Sequence, residues 1–201
     1  MHRGDSLEEV ESMETQQITD FLTVEHIYKT RMKYDFTPNE LKPLSVILRA
    51  WNRNAYECYA LREEEEVLGY AFFVREGSNC LFDYFAIEAQ HRNRGLGSFF
   101  LKQLADCFRD AECIVIEVED PDKADSKEEK ILRERRLQFY LRSGYRKTDV
   151  TSKVFGADYR ILEIPTGEEH TAKDLIKIYT DLYRSTLPEQ IFQTQFEAGE
   201  G

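Results

Sequence analysis

Apolar positions recur along the chain at two periods, and the changes between them mark out the elements. A short mixed stretch from Glu14 to Asp20 reads as a first strand, and Asp20 is placed to cap a helix through His26, Ile27 and Met32 that Pro38 breaks. Leu41, Leu44, Ile47, Leu48 and Trp51 recur at steps of three and four, predicting a second helix from Asn39 with one apolar face. Three runs of strand length follow, Ala55 to Leu61, Val67 to Val74 and Cys80 to Ile87. The acidic Arg62-to-Glu66 stretch and Glu76-Gly77-Ser78-Asn79 between them read as hairpin turns.

From Gly95 the period lengthens again, with Leu96, Phe100, Leu101, Leu104 and Phe108 on one helical face, and Ile114 to Glu119 then reads as a strand. A charged segment from Asp120 to Lys130 leads into a helix through Leu137 to Leu141, with Gly144 as its stop. Tyr145 to Val150 and Tyr159 to Ile164 read as two more strands ending at Pro165. Leu175, Ile176, Tyr179, Leu182 and Tyr183 give an extra C-terminal helix, packed on the body or on a second subunit, which leaves a homodimer open. The order predicts α/β with a mixed sheet, antiparallel hairpins first and helix crossovers after them. The expected organisation is a flexible lead over 1–12, a body over 13–165, and a helical extension and tail over 166–201.

Composition narrows the function. The chain has 201 residues, 38 acidic against 27 basic side chains, a formal net charge of −11 and 41% hydrophobic residues. That much apolar content predicts a folded core. The acidic surplus argues against nucleic acid and against anionic membrane surfaces as partners. Cys58, Cys80, Cys107 and Cys113 show no CxxC spacing and the histidines are dispersed, so no metal site is expected. With no stretch of signal-peptide or transmembrane character, the reading is a soluble, reducing, cytoplasmic protein.

Candidate chemistry concentrates in Phe85-Ala86-Ile87-Glu88-Ala89-Gln90-His91-Arg92-Asn93-Arg94-Gly95-Leu96-Gly97-Ser98. A buried strand ends there, a polar loop carries two arginines, and a helix opens on two glycines. Amide N–H groups at such a helix start, with the positive end of its dipole, suit a diphosphate, and glycine lets a phosphate approach closely. The plain alternative for the glycines is a tight turn.

Arg92-x-x-Gly95-x-Gly97 after an apolar strand resembles the acetyl-CoA signature of the GNAT N-acetyltransferase superfamily, and Phe139-Tyr140-x-x-x-Gly144-Tyr145 is similar to a second segment of that family. The resemblance covers about residues 13 to 165. It implies a GNAT-like mixed, mostly antiparallel central sheet flanked by helices, with the C-terminal helix as an addition. It also implies an acetyl-CoA-dependent N-acetyltransferase whose acceptor is a small cationic amine or a peptide amino group.

By the same resemblance, the backbone of Phe85, Ala86 and Ile87 holds the pantetheine arm. Amides of Asn93, Arg94, Gly95, Leu96, Gly97 and Ser98 meet the pyrophosphate, with Arg92 and Arg94 adding charge. The strand from Ile114 splays from its neighbour to make a cleft for the thioester. Tyr140 corresponds to the tyrosine that protonates the departing thiolate; without the motif it reads as a core tyrosine, and the motif reverses that.

Two positions depart from the family pattern. Arg133 stands where many members carry asparagine, facing phosphate or solvent instead, and Leu81 stands where some enzymes carry a glutamate base. Glu117 and Glu119 share a strand face by alternation. Either they border a solvated sheet edge or Glu117 supplies the base, with Asp83 as the other candidate. Arg133, Arg135 and Arg136 read as a solvated helix face that balances Glu128, Glu129 and Glu134, with one of the three touching the cofactor's phosphates as the alternative. A second reading of the chain is a CoA-binding sensor or interaction module without turnover, against which Tyr140 speaks.

Overall fold

Asp20 accepts a hydrogen bond from the Thr23 backbone N–H at 2.8 Å and starts helix α1, Phe21–Ile27, which runs through a π-turn at Tyr28–Met32 to Asp35. Side-chain caps of this kind satisfy N–H groups that the first helical turn leaves unpaired. The computed structural model describes residues 13–38, 40–167 and 169–201. The lead expected over 1–12 and the helix start expected at Asn39 lie outside these. The second helix, α2, spans Leu44–Trp51 with Pro43 as its N-cap, so Leu41 precedes it. Proline disfavours helical backbone in the residue before it, here Lys42, whose own N–H bonds the Tyr84 hydroxyl at 2.8 Å.

The strands are β1 (Met13–Gln17), β2 (Tyr56–Glu63), β3 (Glu66–Glu76), β4 (Asn79–Ile87), β5 (Cys113–Glu119), β6 (Arg146–Val154), β7 (Ala157–Pro165) and β8 (Phe196–Glu200). They form one sheet in the order β1-β2-β3-β4-β5-β7-β6-β8. Every neighbouring pair is antiparallel except β4 and β5. The parallel pair needs a crossover, which α3 (Leu96–Cys107) supplies. Helix α4 (Lys127–Arg142) then leads to β6, its end marked by Gly144 at φ +95°. The architecture is thus a mixed, mostly antiparallel α/β sheet flanked by helices.

Alternation along the strands feeds two cores. Tyr70, Phe72 and Val74 of β3 face α1, α2 and the C-terminal helices, while Leu68, Ala71 and Phe73 face α3 and α4. The β6–β7 hairpin is longer than its apolar runs predicted. Thr148 and Ser152 occupy buried positions beside Val150 and Val154, which hides the strand period.

The C-terminal segment holds α5 (Ala172–Thr186), α6 (Glu189–Gln195) and β8, the last two absent from the periodic reading. Thr171 and Asp174 form a capping box at the start of α5. Just before it, His170 and Arg146 both bond the buried Glu163 carboxylate, pinning the helix to the sheet. Leu175, Tyr179, Leu182 and Tyr183 are buried against the sheet face. Each such side chain contributes roughly 1.5–3 kcal/mol of transfer free energy. Among the described residues, no helix is long and apolar enough to cross a membrane.

Candidate active site

The ladder between β4 and β5 runs from Asn79 opposite Cys113 only as far as Phe82 opposite Ile116. Beyond that point the strands part. On its other side β4 stays paired with β3 through Ile87, with a shift in register between Phe72 and Phe73 that makes Asp83 the extra residue. The β5-facing edge from Asp83 to Ile87 therefore carries backbone groups outside the ladder, open to a ligand that offers amide partners. Phe85, Ala86 and Ile87 lie on this edge. Arg92 claims one of its groups, with Nε donating to the Ile87 carbonyl at 2.8 Å.

A cavity of about 600 Å³ follows the opening between the strands. One end is the turn into α3, lined by Asn93, Gly95, Leu96, Gly97 and Ser98 and by Arg135 and Phe139 of α4, and Tyr140 of the same helix also borders the cavity. The other end is lined by Glu40, Lys42, Asp83, Glu117, Tyr159 and Tyr183. A second hollow of about 720 Å³ along β6 and β8 gathers surface lysines and aspartates and contains none of the expected site residues.

At the turn, Gly95 occupies the N-cap with φ +82°, a conformation that favours glycine, and no side chain caps the helix. The amides of the first turn thus remain available as donors. Gly97 has a different reason to lack a side chain. A Cβ there would lie 3.2 and 3.4 Å from the Phe139 ring, which stacks with Phe85. Gly97 sets the approach of α3 to α4 as well as any access for phosphate. Gly97→Val is therefore expected to lose about 1–3 kcal/mol of stability by overpacking, measured by urea unfolding, and cannot by itself isolate an anion site.

The loop arginines act mainly on the loop. Arg92 also bonds Asp35 of α1 at 2.7 Å, and Arg94 lies 3.3 Å from a His91 ring nitrogen. Arg135, Arg136 and Arg142 of α4 all line the cavity, and of these Arg135 reaches the turn itself, bonding Asn93 at 2.9 Å, while Arg136 is held by Glu119. Arg133, expected to face phosphate or solvent, instead donates to the Asp120 carbonyl and pairs with Glu129.

Tyr140 is buried among Phe139 and Tyr145 and borders the cavity. Its hydroxyl makes no hydrogen bond among the described residues, so it is free to donate to a group in the cavity. Burial raises its pKa, with Arg136 opposing. The phenol keeps its proton throughout the neutral range.

The two acids of β5 part company. Glu119 pairs with Arg136 and Arg133 of α4. Glu117 accepts hydrogen bonds from the Tyr179 and Tyr183 hydroxyls of α5, the latter at 2.6 Å. It lines the cavity and is half-buried. Desolvation raises its pKa above the usual carboxylate value; Lys42 lowers it, Asp83 raises it, and the two tyrosine hydrogen bonds lower it.

Asp83, with its side chain 3% exposed, forms an ion pair with Lys42 and accepts the Tyr56 hydroxyl. Nothing in the sequence singles out Lys42 or Tyr56, and its period marks Tyr179 and Tyr183 only as the packing face of the C-terminal helix. The four come from three places, the loop before α2, the start of β2 and one face of α5, and only the two tyrosines of α5 are joined by a local spacing. The one local hint was a lysine before Pro43, where a helix cannot yet begin.

The sequence model of the acetyltransferase (GNAT) family matches residues 21–127, more than half of the chain. The chain belongs to the GNAT acetyltransferase family. No protein of curated function matches it. Among solved structures, it is similar to a GNAT-family acetyltransferase from Bacteroides thetaiotaomicron, with TM-score 0.66, 19% identity, and coverage of 87% of this chain and 99% of that one. The ribosomal-protein-S18-alanine N-acetyltransferase of Escherichia coli is similar at TM-score 0.56 and 12% identity, covering 79% and 96%. A GNAT acetyltransferase from Elizabethkingia anophelis with acetyl-CoA bound is similar at TM-score 0.54 and 16% identity, covering 77% and 99%. A GNAT acetyltransferase takes acetyl-CoA as its cosubstrate, and the groove fits it. The uncapped amides at Gly95 to Ser98 suit the diphosphate, and the open β4 edge suits the amides of the pantetheine arm.

Proposed function

We propose that this protein is an N-acetyltransferase that moves an acetyl group from acetyl-CoA to a primary amine, either a small cationic amine or a peptide amino group. The observation that carries the reading is one continuous cavity that joins an anion-binding turn, a tyrosine hydroxyl with no partner among the described residues, and the carboxylates of Asp83 and Glu117. Phe85 to Ile87 and Asn93 to Ser98 hold the cosubstrate, with Arg135 assisting. Glu117 takes the proton that makes the acceptor nitrogen nucleophilic, and the nitrogen attacks the thioester carbonyl directly. Tyr140 supplies a proton to the leaving sulfur. The acid-rich far end favours a cationic acceptor, and burial makes Glu117 a stronger proton acceptor than an exposed carboxylate. The Escherichia coli relative, named for a protein alanine, supports peptide amines as the other acceptor class.

The test is a screen of amines with thiol release as readout. Primary alkylamines and peptides with free amino groups should release thiol, while their N-acetylated forms should not. Tight acetyl-CoA binding with no release from any amine would instead favour a CoA-binding sensor or interaction module.

A further inference from the structure

The acceptor end of the cavity already contains an alkylammonium. Lys42, whose side chain is 4% exposed, places its Nζ against the Asp83 carboxylate, 5.6 Å from the centre of the Tyr84 ring and 5.1 Å from that of Tyr183. Glu117, bonded to the Tyr183 hydroxyl, is the second negative group acting on this position. A carboxylate with aromatic faces is the environment that binds an alkylammonium ligand. Lys42 is also anchored by its backbone, with its N–H on the Tyr84 hydroxyl and its carbonyl accepting from the Tyr28 hydroxyl. It lines the same cavity as Tyr140. Asp83, its partner, is the first β4 residue beyond the last paired position, so the amine sits where the strands open.

We propose that Lys42 is an internal acetyl acceptor, modified by the protein's own active site. This rests on the acetyltransferase reading above. Asp83 takes one proton from the Lys42 ammonium, and the freed Nζ attacks the thioester carbonyl. The new N–C bond forms as the C–S bond breaks. Tyr140 gives its proton to the departing sulfur and regains one from the amide nitrogen, so the reaction yields acetyl-lysine, CoA thiol and one proton, which leaves from Asp83. Holding the amine inside the cavity replaces a bimolecular encounter by an intramolecular one. Acetylation removes the positive charge and leaves Asp83 and Glu117 without their internal cation. The modified protein is then the form that receives an external cationic amine at this position.

The experiment incubates the full-length wild-type protein with acetyl-CoA and follows acetylation of each lysine by peptide mass spectrometry, with acetyl-CoA binding measured in parallel by calorimetry. Lys42 should be labelled about tenfold or more faster than the exposed Lys147 and Lys153, at a fractional rate independent of protein concentration. Tyr140→Phe should slow Lys42 labelling and leave the exposed lysines unchanged. Acetyl-CoA binding and amine turnover without an acetyl group on Lys42, or labelling of Lys42 no faster than of the exposed lysines, overturns the internal acceptor and leaves the proposed function standing. Absence of acetyl-CoA binding overturns both.

Discussion

Tyr140→Phe should lower turnover by roughly 10²-fold while leaving acetyl-CoA affinity and stability nearly unchanged. Positioned proton donors contribute roughly 10²- to 10⁴-fold, and the low end is expected here for a specific reason. Burial raises the phenol's pKa, whereas a thiol has an ordinary pKa of about 8.5. Transfer to the thiolate is therefore uphill until the amide nitrogen returns a proton to the phenol, which limits what the donor contributes. The substitution is clean because the hydroxyl has no partner among the described residues, so Phe removes no internal hydrogen bond. The ring contacts with Phe139 and Tyr145, at centroid distances of 5.1 and 5.3 Å, can remain. Steady-state kinetics with calorimetry on the same sample separates the outcomes. Unchanged kcat would exclude Tyr140 as the acid, and equal losses in kcat and binding would assign it to the architecture of the groove.

Much of this site was legible because its parts are local in sequence. The turn at Gly95 and the Tyr140 segment are contiguous motifs whose chemistry depends on residues a few positions apart, and the structure puts both on one cavity. The opening between β4 and β5 followed from the family resemblance. The far end of the cavity was not legible. Glu117 was singled out on β5, but its surroundings come from α5, 62 and 66 positions downstream. Asp83 meets Lys42 across 41 positions and Tyr56 across 27. Such contacts depend on how helices cross the sheet, which periodicity leaves open. The same limit hid β8, because its sequence Phe-Glu-Ala-Gly-Glu carries too little apolar alternation to announce a strand. Its place on the sheet comes from pairing with β6.

The C-terminal segment is joined to the acceptor end by side chains. Tyr179 and Tyr183 of α5 are the hydrogen-bond donors to Glu117, and Tyr183 also presents its ring to Lys42. The family match ends at residue 127, so these tyrosines lie outside it. The position of α5, pinned by Glu163 through His170 and Arg146, thus sets both the basicity of Glu117 and the shape of the space beside it. A segment that a motif reading treats as an appendage supplies part of the wall that an acceptor would meet.

Glu117→Gln should reduce kcat/KM for a primary alkylamine by roughly 10²- to 10³-fold near neutral pH, with the loss shrinking as pH rises toward the pKa of the amine. An alkylammonium of pKa about 10.4 is neutral in only about one molecule in 10^3.4 at pH 7, so reaching the free amine costs about 4.6 kcal/mol. A carboxylate acceptor beside the nitrogen offsets part of that cost. The sign of the pH effect follows from burial. Because the Glu117 carboxyl is shifted above its ordinary value, its basic form is lost as pH falls through the raised pKa and is complete above it. Wild-type kcat/KM should therefore climb through two steps, the lower from Glu117 and the upper from the amine, whereas the variant keeps only the upper one. The deficit is widest between them. Glutamine retains an oxygen that can accept the Tyr179 and Tyr183 hydroxyls, so the fold around it should survive, which thermal unfolding checks. A variant profile parallel to wild type over the whole range would remove Glu117 as the base and transfer that role to Asp83, the buried carboxylate that lines the cavity beside Lys42.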